Sequence, residues 1–481
     1  MRPLVALLTA TVLLAPVSAS PSSAARPTGP PSTALRWGSC PSPAAPAELR
    51  CATLRVPTDY SRPHGRQTTL TISRLPAGNP QLRRGVLITN PGGPGQAGLL
   101  LPAALAHQLP PQLLDRYDLI GFDPRGVGHS TPVTCGGSAL PSDDLIYPYP
   151  GPDGSIARNV AYARTTAAAC ARHGGPQMPH VTTANTARDM DRIRAALGER
   201  RISYLGWSYG TYLGAVYRQL FGNRVDRMVL DSAIDPARVW YDQYRTMSRA
   251  ADRRLDDLTA WAAARHADLG LGATPAAVRR RYLRVAAGLD REPVTRADGV
   301  VVTGAVVRAE TFRALYHDDW LPTVRQWLDP SALPPAPPET VDPAVPADNA
   351  TAALYGVVCG DVTWPRDVRR YRDAVRDDRR RWPATDGMPA NIWPCAFWHR
   401  PPVEPAVRVT PGGPRNTLIV QNLRDPASPS TGGMRRALGP GAVQITVDAG
   451  GHGVLGNGSC ADRHAVVFLT DGLLPAHDQR C

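Results

Sequence analysis

A chain of 481 residues is longer than one apolar core requires, so two domains, or one domain carrying a large insertion, are expected. The net charge of +13 has the sign of a nucleic-acid binder, but all the basic side chains are arginines, spread along the chain and interleaved with aspartates as in DAVRDDRRRW (Asp373–Trp382). That interleaving is the pattern of a solvated helix face and argues against a nucleic-acid partner.

At the amino terminus Arg2 precedes an apolar run, Leu4–Val17, too short to cross a bilayer. Residues 1–25 read as a signal peptide, with small-residue cleavage sites after Ala19 and Ala25. No cysteine lies nearby to carry a lipid, so the mature chain is expected to be extracellular and free of the membrane. Residues 26–36 are rich in Pro, Ser and Ala and read as a disordered leader.

Order is expected from about Trp37. TTLTISRL (Thr68–Leu75) alternates like a half-buried strand, and GVLITN (Gly85–Asn90) and YDLIGFD (Tyr117–Asp123) are apolar runs of buried-strand length with a helical stretch between them. A helix from about Thr186 to Leu197 leads to the strand ISYLGWS, and a helix from about Thr211 to Phe221 leads to the strand Arg227–Ala233. Strands alternating with helices predict an α/β fold with a mostly parallel sheet. The core's first part is placed at 37–235. Residues 236–411 are helical patterns broken by Pro-rich stretches such as PSALPPAPPETVDP (Pro330–Pro343), and read as a mainly helical cap insertion. The core resumes over 412–481 with strands in Asn416–Pro426 and Ala442–Gly453.

The eight cysteines, Cys40, Cys51, Cys135, Cys170, Cys359, Cys395, Cys460 and Cys481, are even in number, as an oxidising compartment favours. Four disulfides are expected, pairing in sequence order as the simplest guess. With no C-x-x-C and scattered cysteines, no metal site is expected, and nothing calls for a cofactor.

Gly206-Trp207-Ser208-Tyr209-Gly210 is a G-x-S-x-G motif set between a strand and a helix, the setting of a nucleophile elbow. Ser208 is therefore the candidate nucleophile. A serine hydroxyl needs a base that is itself oriented by a carboxylate. His452, on the Gly-rich turn of VDAGGHG, is the candidate base, ahead of His464 and His477. Asp425 follows the strand TLIVQN and is the candidate acid, with Asp231, one strand earlier, as its rival. An oxyanion hole needs backbone donors, expected from Tyr209 and from Gly93 in NPGGPGQAG (Asn90–Gly98).

Taken together, NPGGPGQAG, GFDPRGVGHS, GWSYGTYLGAVY, LDSAIDP and GGHG resemble the secreted bacterial tripeptidyl aminopeptidases, relatives of the prolyl iminopeptidases. The resemblance implies the α/β-hydrolase fold, the triad Ser208, Asp425 and His452, a cap over the site, and release of short peptides from free amino termini. Pro91 stands where the prolyl iminopeptidases open this loop with histidine. A cap carboxylate is expected to meet the substrate ammonium, with Glu310 and Asp361 as candidates, while Arg125 reads as a loop anchor. A carboxylesterase, lipase or lactone hydrolase using the same triad is the alternative, since fold and triad do not choose the substrate.

Overall fold

The apolar runs become the centre of a sheet. In the computed structural model, which describes residues 35–137, 142–297, 299–331, 342–429 and 432–481, the strands are β1 (Arg50–Pro57), β2 (Gln67–Leu75), β3 (Gly85–Asn90), β4 (Tyr117–Phe122), β5 (Ile202–Trp207) and β6 (Val225–Asp231). They continue with β7 (Val294–Thr295), β8 (Val301–Val302), β9 (Thr417–Arg424), β10 (Ala442–Gly450) and β11 (Gln479–Arg480). The expected signal peptide, nearly all of the leader and most of the Pro330–Pro343 stretch lie outside the described residues.

Among the described residues one nine-stranded sheet runs in the order β1-β2-β4-β3-β5-β6-β9-β10-β11. β1, β2 and β4 pair antiparallel, and every pairing from β4 through β3 to β11 is parallel. β3 and β4 are buried along their whole length, because helices cover both faces of a parallel sheet. The helices Thr183–Ala196 and Tyr209–Phe221 pack Met190, Ile193, Tyr212 and Val216 on one face. On the other face Leu105, Leu113 and Phe468 cover Leu87, Leu205 and Ile445. The parallel strands bring their carboxyl ends to one edge, where open α/β sheets carry their sites.

Between β6 and β9 the chain leaves the sheet. The helices Tyr241–Ala263, Pro275–Arg291, Gly304–Ala314, Leu321–Leu328, Asn349–Asp361 and Val368–Arg381 lie in this insertion, with the short β7–β8 hairpin the patterning did not reveal. It has an apolar core of its own, built from Leu255, Leu258, Val278, Tyr282, Phe312 and Trp327. Disulfides join Cys40–Cys51, Cys135–Cys170, Cys359–Cys395 and Cys460–Cys481, a pattern that fits an oxidising compartment. Among the described residues no helix is long and apolar enough to cross a membrane.

Candidate active site

Ser208 stands where β5 turns into the helix Tyr209–Phe221, with φ 54° and ψ −120°. A non-glycine residue holds so strained a geometry only when its surroundings over-determine it. Here the Ser208 N–H donates to the Asp231 carbonyl at 3.0 Å, and the Ser208 carbonyl accepts from the Thr211 amide (2.9 Å) and hydroxyl (2.6 Å). Gly92 lies directly opposite: its φ is +102°, and a Cβ there would sit 2.6 Å from the Trp207 carbonyl and 3.0 Å from the Ser208 Cβ. The loop Asn90–Gly98 can therefore press against Ser208 only with glycine at 92.

The same loop is shaped by two buried polar side chains. Asn90 accepts the Gly92 N–H at 3.1 Å, and Asp123 accepts the Gly98 and Leu99 N–H groups at 3.0 Å and the His129 N–H at 2.9 Å. The Tyr209 N–H opens a helix, where no preceding turn supplies an acceptor, so it is available to an anion. The Tyr209 ring is buried against Trp240, and its hydroxyl lies 3.0 Å from the Thr183 hydroxyl. Arg125 is an anchor: its buried guanidinium pairs with Asp189 at 2.6 Å and donates to the carbonyls of Pro57 and Thr58.

His452 and Asp425 come together from the ends of neighbouring strands. The His452 Nδ1 is 3.0 Å from Oδ2 and 3.1 Å from Oδ1 of Asp425. Asp425 is buried and also accepts from the Ala427 and Ser428 amides at 2.8 and 2.9 Å. Burial disfavours the imidazolium, but the charge and hydrogen bond of Asp425, aided by the charge of Asp231, outweigh it and raise the His452 pKa. Ser428, which the patterning does not single out, places its hydroxyl 3.0 Å from the Asp425 carboxylate, 3.3 Å from His452 Nδ1 and 2.7 Å from the Ser232 carbonyl.

Asp231, the rival acid, has a different task. Its buried carboxylate accepts the Val454 N–H at 2.9 Å and the Leu455 N–H at 2.9 Å, while its carbonyl holds the Ser208 amide. One residue thus ties the serine turn to the histidine loop. Burial, only partly offset by those hydrogen bonds, pushes its pKa up to about 6. The sheet holds further backbone groups of the loop: Ser232 Oγ accepts the Gly453 N–H at 2.8 Å, and Asn422 Nδ2 donates toward the carbonyls of Gly450, Gly451 and Gly453 at 3.0–3.3 Å. The His452 N–H reaches the insertion instead, donating to the Tyr316 carbonyl at 2.9 Å, with the Tyr316 ring edge-on to the imidazole at 5.0 Å.

The two carboxylates expected to meet a substrate amine sit in different surroundings. Asp361 ends the helix Asn349–Asp361 as a buried anchor, accepting from the Thr183 amide (2.8 Å), the Thr183 hydroxyl (2.6 Å) and the Trp240 indole (3.1 Å). Three donors of its own fold occupy it. Glu310 lines a cavity in the insertion with Arg313, Arg325 and Gln326, and no triad candidate borders that cavity. On the same helix Phe312 faces the other way and meets Tyr316 at 5.7 Å, on the His452 side. Among the described residues no cluster of His, Cys, Asp or Glu is arranged to hold a metal ion.

A strained serine at a strand-to-helix turn, glycine-lined backbone beside it, and a buried carboxylate on a histidine define a serine hydrolase. Comparison with known proteins agrees. The α/β-hydrolase fold family model matches residues 85–430, and that of TAP-like proteins matches residues 384–481. The chain is 37% identical to a tripeptidyl aminopeptidase of Streptomyces lividans, over 91% of this chain and 84% of the relative. It is 30% identical to the serine protease Hip1 of Mycobacterium tuberculosis (93% and 91% covered) and 32% identical to a carboxylesterase B of the same species (90% and 86%). The chain belongs to the α/β-hydrolase family, in the group that holds the tripeptidyl aminopeptidases.

Proposed function

We propose that this chain is an exported serine aminopeptidase that releases short peptides, tripeptides in the first instance, from free amino termini. The observation that carries the chemistry is the buried Asp425 carboxylate on His452 Nδ1, on a loop that Asp231 ties to the turn of the elbow serine. In the proposed cycle Ser208 Oγ attacks the scissile carbonyl as His452 takes its proton, and the oxyanion is met by the N–H groups of Tyr209 and Gly93. His452 then gives the proton to the leaving amine. Water, deprotonated by His452, adds to the acyl-serine ester, and collapse frees the peptide acid and returns the proton to Ser208. The substrate class is supported by the likeness to a tripeptidyl aminopeptidase over 91% of the chain. Export is supported by the four disulfides and the signal-like run at Leu4–Val17.

The test compares a free tripeptide anilide, its N-acetylated form and a short-chain aryl ester. The aminopeptidase reading expects acetylation to lower kcat/KM by at least about 10²-fold, the scale of one lost charge-assisted contact. Equal cleavage of blocked and free peptides, with a faster ester, would favour the carboxylesterase reading, which the 32% identity to a carboxylesterase B supports.

A further inference from the structure

His452 is mounted on the sheet at every backbone position described above except its own amide, which hangs from the insertion through the Tyr316 carbonyl. What holds Tyr316 is therefore part of what holds the base. The Arg254 side chain, on the helix Tyr241–Ala263 and only 3% exposed, clasps the backbone on both sides of Tyr316. Its Nε donates to the Leu315 carbonyl at 3.2 Å and its Nη2 to the His317 carbonyl at 3.1 Å. The same guanidinium pairs with Asp257 at 2.8 Å and with Asp318, and lies 4.6 Å from the Trp320 ring centre.

Arg254 also abuts the histidine loop directly. A Cβ on Gly450 would overlap its guanidinium, and a Cβ on Gly451 would come within 2.9 Å of the Tyr316 carbonyl. Asp257 carries the network further, accepting from Arg424 Nε at 2.9 Å, and Arg424 immediately precedes Asp425. A buried cation with this many bonds costs much to desolvate and is retained where its geometry matters. Its bonds converge on the segment 315–318 and on the flanks of the candidate base and acid.

We propose that Arg254 is a positioning residue for His452, fixing through Tyr316 the orientation of the base, so that the insertion is part of the catalytic mounting as well as a cover. This rests on the reading of Ser208, His452 and Asp425 as the triad. It differs from a substrate-gating role in one respect: a small ester that needs nothing from the insertion must still depend on Arg254.

The experiment measures kcat, KM and the pH profile of kcat/KM for Arg254→Met, Arg254→Lys and Asp257→Asn, on a tripeptide anilide and a short-chain aryl ester. Arg279→Met, which breaks ion pairs to Asp252 and Asp256 elsewhere on the insertion, serves as the control. For Arg254→Met, kcat is expected to fall about 10- to 100-fold on both substrates, the scale of a small misplacement of a catalytic group, with little change in KM. The acid limb of the profile should move to lower pH as the His452–Asp425 bond slackens. Arg254→Lys should recover part of the loss, and Arg279→Met should change neither rate. Should Arg254→Met fail to fold, the Lys and Asp257→Asn variants carry the same comparison. Loss confined to the tripeptide, or an unmoved pH profile, would overturn the proposal. A fluorophosphonate that still labelled Ser208→Ala would instead refute the triad reading, whatever Arg254 did.

Discussion

Asp425 meets His452 almost symmetrically, with Nδ1 3.0 and 3.1 Å from its two carboxylate oxygens, and the carboxylate is buried while the imidazole keeps 15% of its surface exposed. The pair is therefore anchored at its acid end and open at its base end, which is what a proton-transferring imidazole requires. The two amides of Ala427 and Ser428 hold the carboxylate from behind, so its position does not depend on the histidine.

Asp425→Asn should therefore leave the fold intact and the histidine in place but favour the wrong tautomer, lowering kcat by about 10³- to 10⁴-fold. Steady-state hydrolysis with a thermal melt checks this. The competing assignment makes the opposite forecast: if Asp231→Asn cost about 10³- to 10⁴-fold and Asp425→Asn were mild, the acid would be Asp231.

The pH dependence follows from the direction of the His452 shift. The neutral imidazole is the base, so kcat/KM rises as pH climbs through its pKa, and the raised pKa puts the half-maximal point above the ordinary 6.5. In the slow Asp425→Asn enzyme the main stabiliser of the imidazolium is gone, and the acid limb should move down. A wild-type limb below the ordinary value would contradict the geometry of the pair.

Gly92→Ala tests the fit between the oxyanion loop and the nucleophile. The new Cβ meets the Trp207 carbonyl and the Ser208 Cβ, and the backbone at φ +102° is one that alanine adopts only under strain. Displacing the loop should cost about 10²- to 10³-fold in kcat, the value of one oxyanion donor, along with a lower Tm. Unchanged kcat would mean that the loop does not serve the oxyanion.

The pattern of the fold was legible where burial imposes composition. The run Gly85–Asn90 matches β3 residue for residue and Tyr117–Asp123 overruns β4 by one, because strands covered on both faces are largely apolar. The elbow was legible for a related reason: backbone crowding at the strand-to-helix turn demands glycines at fixed spacing. Ser428, Asn422 and Tyr316 carried no such mark. Each acts through a contact far away in the chain, Asn422 on the loop 450–453 and Tyr316 on His452, and a hydroxyl, an amide or a backbone carbonyl acting at such a distance leaves no local periodicity. The partners of Asp361, Thr183 and Trp240, are likewise invisible in its neighbourhood of the sequence.

Asp361 supplies the last prediction. Burial pushes its pKa up to about 6, with the Thr183 and Trp240 hydrogen bonds opposing that shift, against 3.8 for a free carboxyl. The folded state thus holds a proton that the unfolded chain has already lost between those values, and the contribution of Asp361 to stability falls as pH rises from about 4 through 6. A shift of this size corresponds to roughly 3 kcal/mol at neutral pH. Asp361→Asn removes the ionisation and keeps one acceptor oxygen, so the melting temperature should depend less steeply on pH over that window, with the part due to Asp231 remaining. Asp361→Ala strands the Thr183 and Trp240 donors in the interior and should cost about 2–4 kcal/mol at any pH. Because the carboxylate is occupied by its own fold, the Asn variant should keep the wild-type ratio of rates on free and N-acetylated tripeptide anilides. Collapse of that ratio, with stability unaltered, would make Asp361 the ammonium ligand.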